Sequence, residues 1–173
     1  MGMLKAFFLL SLVVGFCESG KYDRSITVFS PEGDLLQVKY AEKAVQKGLP
    51  VIALSNGEDS VVFCFERAQS QRLQLCRTSE KFIKIDEHAF MSFSGLMADG
   101  RALAKKIRIE CQKYRFQLGE APPIEYIAAR VGDIQYSYTR KGGARPFGVS
   151  CLVAGFDHAG DGCPRLFRVD PFG

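Results

Sequence analysis

Residues 22–48 read YDRSITVFSPEGDLLQVKYAEKAVQKG, and the join inside them is abrupt. A polar, turn-prone lead from Tyr22-Asp23-Arg24 to Ser30-Pro31-Glu32-Gly33 gives way to an amphipathic helix. Pro31 presets φ, Gly33 accepts left-handed backbone, and Asp34 offers a short acceptor, so these residues mark a turn and a helix start. Beyond them Leu35, Val38, Ala41 and Val45 recur at helical spacing, with Asp34, Lys39, Glu42, Lys43 and Gln46 on other faces. Gly48 is placed to end the helix in a left-handed conformation.

After Gly48, two apolar runs flank Asn56-Gly57, Val51–Leu54 and Ser60–Phe65, which predicts a β-hairpin with a connection longer than two residues. A second pair, Phe82–Ile85 and Ala89–Ser94, is joined through Asp86-Glu87-His88. Two helices follow. The first, within about 97–116, carries the stripe Leu103, Ile107, Cys111 and Tyr114. The second opens at Pro122-Pro123, carries Ile124, Ile127, Val131, Ile134 and Tyr138, and is broken by Gly142-Gly143. Phe147–Phe156 and Pro164–Val169 read as closing strands around the turn 157–162. Helix, paired strands, two helices and paired strands make an α+β chain; two sheets buried against each other under helices is one option among several that periodicity allows.

A chain of 173 residues is long enough for one substantial core. A net charge of +4 from scattered basic residues forms no stripe for nucleic acid. None of the six cysteines forms a Cys-x-x-Cys pair, and His88 and His158 stand far from any cysteine cluster, so no zinc site or other metal or cofactor site is expected. Cys64 and Cys151 lie in apolar runs and read as buried free thiols.

Residues 1–20 stand apart from the domain at 21–173. Met1–Lys5 and an apolar Ala6–Phe16 run before Cys17-Glu18-Ser19 have the layout of a secretory signal, too short to span a membrane as a permanent helix. Cleavage after Ser19 would leave an odd five cysteines, which does not suit a secreted disulfide protein. The competing reading, and the favoured one, is a misassigned start or first exon foreign to the domain.

Several segments at fixed spacing resemble the proteasome α-type subunits. They are Tyr22-Asp23-Arg24, Phe29-Ser30-Pro31-x-Gly33 and Gln37-Val38-x-Tyr40-Ala41; then Glu80-Lys81-Phe82-x-Lys84-Ile85-Asp86 and Ser94-Gly95-Leu96-x-Ala98-Asp99-x-Arg101; and finally Gly142-Gly143-x-Arg145-Pro146-Phe147-Gly148-Val149-Ser150 and Asp170-Pro171-x-Gly173. The resemblance implies a four-layer α/β/β/α sandwich of the N-terminal-nucleophile hydrolase type. It also implies a place in the outer ring of the 20S core, with other α subunits, β subunits and regulatory particles as partners and neither nucleic acid nor membrane. Cytoplasm and nucleus are the locations it implies.

Catalysis can be read from the residues. Active β-type subunits use an N-terminal Thr whose own amine is the base. The first strand here is preceded by Gly48-Leu49-Pro50, which offers no hydroxyl or thiol; the one Gly-nucleophile pair, Gly162-Cys163, lies near the chain's end. No catalytic residue is expected, and Lys81, which matches a lysine that supports catalysis in β-type subunits, has no nucleophile to serve. A stand-alone hydrolase or a secreted binding protein on the same fold remains as the alternative class.

The resemblance assigns Tyr22, Asp23, Arg24, Pro31 and Tyr40 to an axial gate. Tyr offers stacking surface and a hydroxyl, Asp accepts, and Pro fixes the turn. From residue types alone, Tyr22 and Tyr40 would be half-buried anchors of a helix start. It assigns Lys81, Gly95 and Leu96 to a pocket for the C-terminal tails of regulatory particles, an ammonium being a sensible partner for a terminal carboxylate. Unaided, Lys81 would read as an exposed strand-edge charge.

Three departures stand out. Lys39 replaces a usual Glu, inverting a charge beside the gate residues, and Gly100 replaces a usual Ala at a cost of about 1 kcal/mol in helix propensity. The family pattern also continues past Asp170-Pro171-x-Gly173, so the last elements are expected to be missing. The chain as written is expected to be poorly soluble and not to enter a ring.

Overall fold

The computed structural model describes residues 25–66, 81–157 and 162–173. Tyr22, Asp23, Arg24 and the signal-like segment lie outside the described residues, as does most of the expected turn at 157–162. In chain order the elements are α1 (Leu36–Gln46), β1 (Val51–Ser55), β2 (Val61–Phe65), β3 (Phe82–Lys84), β4 (Ala89–Gly95), α2 (Met97–Leu118), α3 (Ile124–Arg140), β5 (Val149–Phe156) and β6 (Pro164–Val169). This is the order read from the sequence, with shifts of one or two residues at the ends.

The strands form an antiparallel hairpin, β1–β2, and a four-stranded antiparallel sheet in the order β3-β4-β5-β6. In the larger sheet Met91 faces Val153, Phe93 faces Cys151 and Gly95 faces Val149. Alternation along β4 and β5 puts this set on one face, where Leu103, Ile107 and Cys111 of α2 and Ile124, Ile127 and Val131 of α3 seal it from water. Each large apolar side chain buried there contributes about 1.5–3 kcal/mol. This is the core, and the helical stripes read from the sequence supply its upper half.

The opposite face of the sheet is more polar. Ser92 is fully buried and donates to the Lys81 carbonyl at 3.0 Å. The hairpin reaches this face through Phe63, whose ring meets Phe82 edge-on at 5.2 Å, while Phe82 stacks on Phe90. The described residues thus build helix, sheet and hairpin layers of the expected α+β sandwich. The outer face of the hairpin, where Ile52 pairs with Cys64 and Leu54 with Val62, stays exposed, Leu54 to 69%.

Two expectations are corrected. Cys64 is exposed, because its place in the β2 alternation puts it on that outer face; the continuous apolar run Val61–Phe65 hid the face from view. Gly48 is not left-handed: α1 ends at Lys47 in right-handed backbone, and Gly48 serves close approach instead, as described below. Gly119, by contrast, ends α2 at φ 76° and donates to the Arg115 carbonyl at 2.8 Å.

Gly100 changes meaning in three dimensions. A Cβ there would lie 2.4 Å from the Phe93 ring, so the glycine makes room for the largest fully buried side chain. We predict that Gly100→Ala destabilises the domain by about 1–3 kcal/mol through overpacking, the reverse of the propensity gain. A urea titration checks it; a raised midpoint would refute it. Burial pushes the Cys111 and Cys151 thiols up to about 12. A thiol reagent at neutral pH should therefore label Cys64 in the native chain and reach Cys111 and Cys151 only after unfolding, as peptide mass spectrometry would show.

Candidate functional site

The first turn of α2 carries Asp99, a buried carboxylate at a helix N-terminus, where the backbone dipole favours negative charge. Arg145, from the turn ahead of β5, grips it bidentately at 2.6 and 2.8 Å. The Gly148 amide donates to the same carboxylate at 3.1 Å, and the Gly148 carbonyl accepts from the Leu96 amide at 3.0 Å. The Arg145 bonds, with that of Gly148, hold the Asp99 carboxyl below its ordinary value against the opposing effect of burial. The effect is to lock Gly95-Leu96 beside residues 145–148.

Glycine is required where these segments meet. Gly95 sits at φ 116°, and a Cβ there would lie 2.1 Å from the Gly148 carbonyl. A Cβ on Gly48 would lie 2.3 Å from the Gly95 nitrogen. The next carbonyl, that of Leu49, accepts from Lys81 Nζ at 2.8 Å and from Ser94 Oγ at 3.0 Å. Lys81 is therefore not an exposed strand-edge charge: it is only 4% exposed. Burial pulls its ammonium below the usual lysine range, with the Glu66 carboxylate opposing that shift.

Tyr40 and Leu96, assigned from the sequence to separate sets, line one hollow of about 140 Å³ with Gln37, Ala44, Arg145 and Pro146. They are 42% and 45% exposed. Pro31 stands in the turn ahead of α1, closed by a Gly33 amide to Ser30 carbonyl bond at 2.8 Å and by the Asp34 amide on Ser30 Oγ at 3.1 Å. Lys39 forms an ion pair with Asp34, so the inverted charge beside Tyr40 is spent on this turn.

The structure brings Lys81 and Gly95 together around the Gly48-Leu49 backbone, and Leu96 and Tyr40 around the hollow. Asp99, Arg145 and Ser94 stand within the sequence motifs without a role of their own there, since nothing in a motif says which members bond across 46 residues. Opposite charge in two fixed motifs was the signal available. Among the described residues no cluster of His, Cys, Asp or Glu could hold a metal, and no helix is long and apolar enough to cross a membrane.

Comparison with known proteins agrees with these motifs. A family model for the proteasome subunit domain matches residues 45–173, and a model for the N-terminal signature of its A-type subunits matches residues 22–44. A proteasome alpha type-7 subunit of Dictyostelium discoideum is 45% identical over 155 residues, covering 90% of this chain and 61% of the relative. Proteins of the same description from Caenorhabditis elegans and Solanum lycopersicum are 43% and 44% identical, each over 88% of this chain and over 59% and 58% of their own length. The chain thus spans about three fifths of the length of these relatives.

The Asp99 carboxyl titrates lower in the folded chain than its ordinary 3.8, so its contribution is present above that value and is lost as pH falls through the folded value. Asp99→Asn should cost about 1–3 kcal/mol at neutral pH, the scale of hydrogen bonds to a charged group. The gap between the two proteins should narrow below about pH 4. Urea midpoints measured across pH would reveal it; a gap that did not change with pH would refute it.

Proposed function

We propose, from the premise that this chain belongs to the proteasome subunit family and carries its α-type N-terminal signature, that it is a non-catalytic outer-ring subunit of the 20S core particle. In that role it helps form a seven-membered ring with other α subunits, stacks on β subunits and works in the cytoplasm and nucleus in degradation of ubiquitin-tagged proteins. One observation carries the non-catalytic reading. The position after Gly48, two residues ahead of β1, holds Leu49, an alkyl side chain, and the Lys81 ammonium that would assist a nucleophile is bonded to the Leu49 carbonyl. Threonine-type catalysis needs a hydroxyl or thiol there.

Gating and docking follow from the same surface. Tyr40 and Pro31 belong to the α1 turn-helix unit, with Tyr22, Asp23 and Arg24 just upstream in sequence as the remaining gate residues. Lys81, Gly95 and Leu96 receive a regulatory particle's C-terminal tail. The tail carboxylate would share or displace the Leu49 carbonyl at Lys81, while Leu96 gives its apolar part a wall. The observation favouring this reading is that Leu96 and Tyr40 face one hollow, so a tail seated there would touch the helix that carries the gate.

The test is co-purification of the tagged full product of the transcript from its own cells. The expected outcome is migration with β-type subunits in a high-mass particle, with no labelling by a threonine- or cysteine-directed active-site probe. Migration only outside such a particle would overturn the ring assignment, and labelling ahead of β1 would revive the hydrolase reading.

A further inference from the structure

We propose that Asn56 is a conformation-gated deamidation site: the closed β1–β2 turn suppresses the reaction, an opened turn permits it, and the product holds the turn less firmly. Asn-Gly is the most exposed pairing for this chemistry, because glycine has no side chain to shield its nitrogen or restrict its backbone. The Gly57 nitrogen attacks Asn56 Cγ, a new C–N bond forms, and the Cγ–Nδ2 bond breaks. Nδ2 leaves as ammonia with the proton lost from Gly57. Water then opens the succinimide at either carbonyl to give aspartate or isoaspartate.

In the folded chain each participant is engaged. Asn56 Oδ1 accepts from the amides of Glu58, Asp59 and Ser60 at 3.1, 3.2 and 3.0 Å. Asn56 Nδ2, the leaving group, donates to Asp59 Oδ1 at 2.7 Å. The attacking nitrogen of Gly57 donates its proton to Ser55 Oγ at 3.2 Å, and the Asn56 amide closes the turn on the Ser60 carbonyl at 3.2 Å. Swinging Cγ onto the Gly57 nitrogen must break the bonds to Oδ1, and losing the Gly57 proton must break the bond to Ser55. The strands make this a single cooperative event, since Ser55 and Val61 are paired directly behind the turn.

The product holds the same turn less firmly: an aspartate oxygen still accepts from the amides of Glu58, Asp59 and Ser60, but the Nδ2 donor is gone. A carboxylate at 56 has no donor for Asp59 Oδ1 and sets two negative charges where one bond stood. Asp59 is now held below its ordinary value first by that Asn56 bond, so its carboxylate loses its leading support. Isoaspartate also lengthens the backbone by one atom inside the turn, next to the Ser55–Val61 pair, so the amides of residues 58–60 no longer meet a side-chain oxygen at the same place.

The full chain is incubated in mildly alkaline buffer with and without concentrated urea, and aspartate and isoaspartate at position 56 are separated by peptide mass spectrometry. Deamidation in buffer is expected to be at least about tenfold slower than in urea, the ratio that local opening of the turn imposes. Asp59→Ala and Ser55→Ala should each raise the rate in buffer and leave the rate in urea unchanged. Equal rates in buffer and urea overturn the protection, and protection unaltered in both variants overturns the named cage. Asn56→Asp should lower the exchange protection of the Val61–Phe65 amides relative to the parent; unchanged protection overturns the claim that the product holds the turn less firmly.

Discussion

The carboxylate of Asp99 holds this architecture together. It lies at the start of α2, is buried, and receives two guanidinium bonds and one backbone amide from a segment 46 residues away. A buried carboxylate without such partners would be strongly destabilising, so the chain must bring Arg145 and Gly148 to it. Doing so sets Val149, where β5 begins, opposite Gly95, where β4 ends. A slip of β5 by one residue in that pairing would turn Cys151 and Val153 out of the core.

Other polar struts repeat the pattern at the rim of the core. The first amide of α3 has no capping side chain next to it, because Pro122-Pro123 supplies none, and Asp157 caps it from 33 residues away at 2.8 Å. His88 reaches the Pro122 carbonyl at 2.8 Å, and fully buried Gln135 donates to the Val149 carbonyl at 2.8 Å. Arg115 pairs with buried Asp86 at 2.8 Å, tying α2 to the β3–β4 connection. Apolar burial supplies most of the stabilisation, and these directional bonds select one arrangement of helices on the sheet.

The same clamp orders the surface that the functional reading relies on. Leu96 is held beside Pro146 and Gly148, which puts it against Tyr40 on α1 across a shallow hollow. Lys81, Ser94 and the Leu49 carbonyl form a second junction behind Gly95. In the outer-ring reading, the tail-receiving residues and the gate-bearing helix then form one mechanical unit.

Element order, the helical stripes, the hairpin positions and the family were legible in the sequence, because they rest on local periodicity, turn chemistry and motifs of fixed spacing. The alkyl side chain ahead of β1 was equally legible, being a matter of residue identity. Three readings were decided only by folding. Cys64 lies on an outward strand face that a continuous apolar run does not reveal. Gly100 is a cavity for Phe93 rather than a helix defect. Lys81 is buried and bonded within its own chain rather than standing at an open edge. The physical reason is common to all three: local pattern sets backbone conformation, whereas exposure, space and bonding partners depend on what tertiary packing brings from distant parts of the chain.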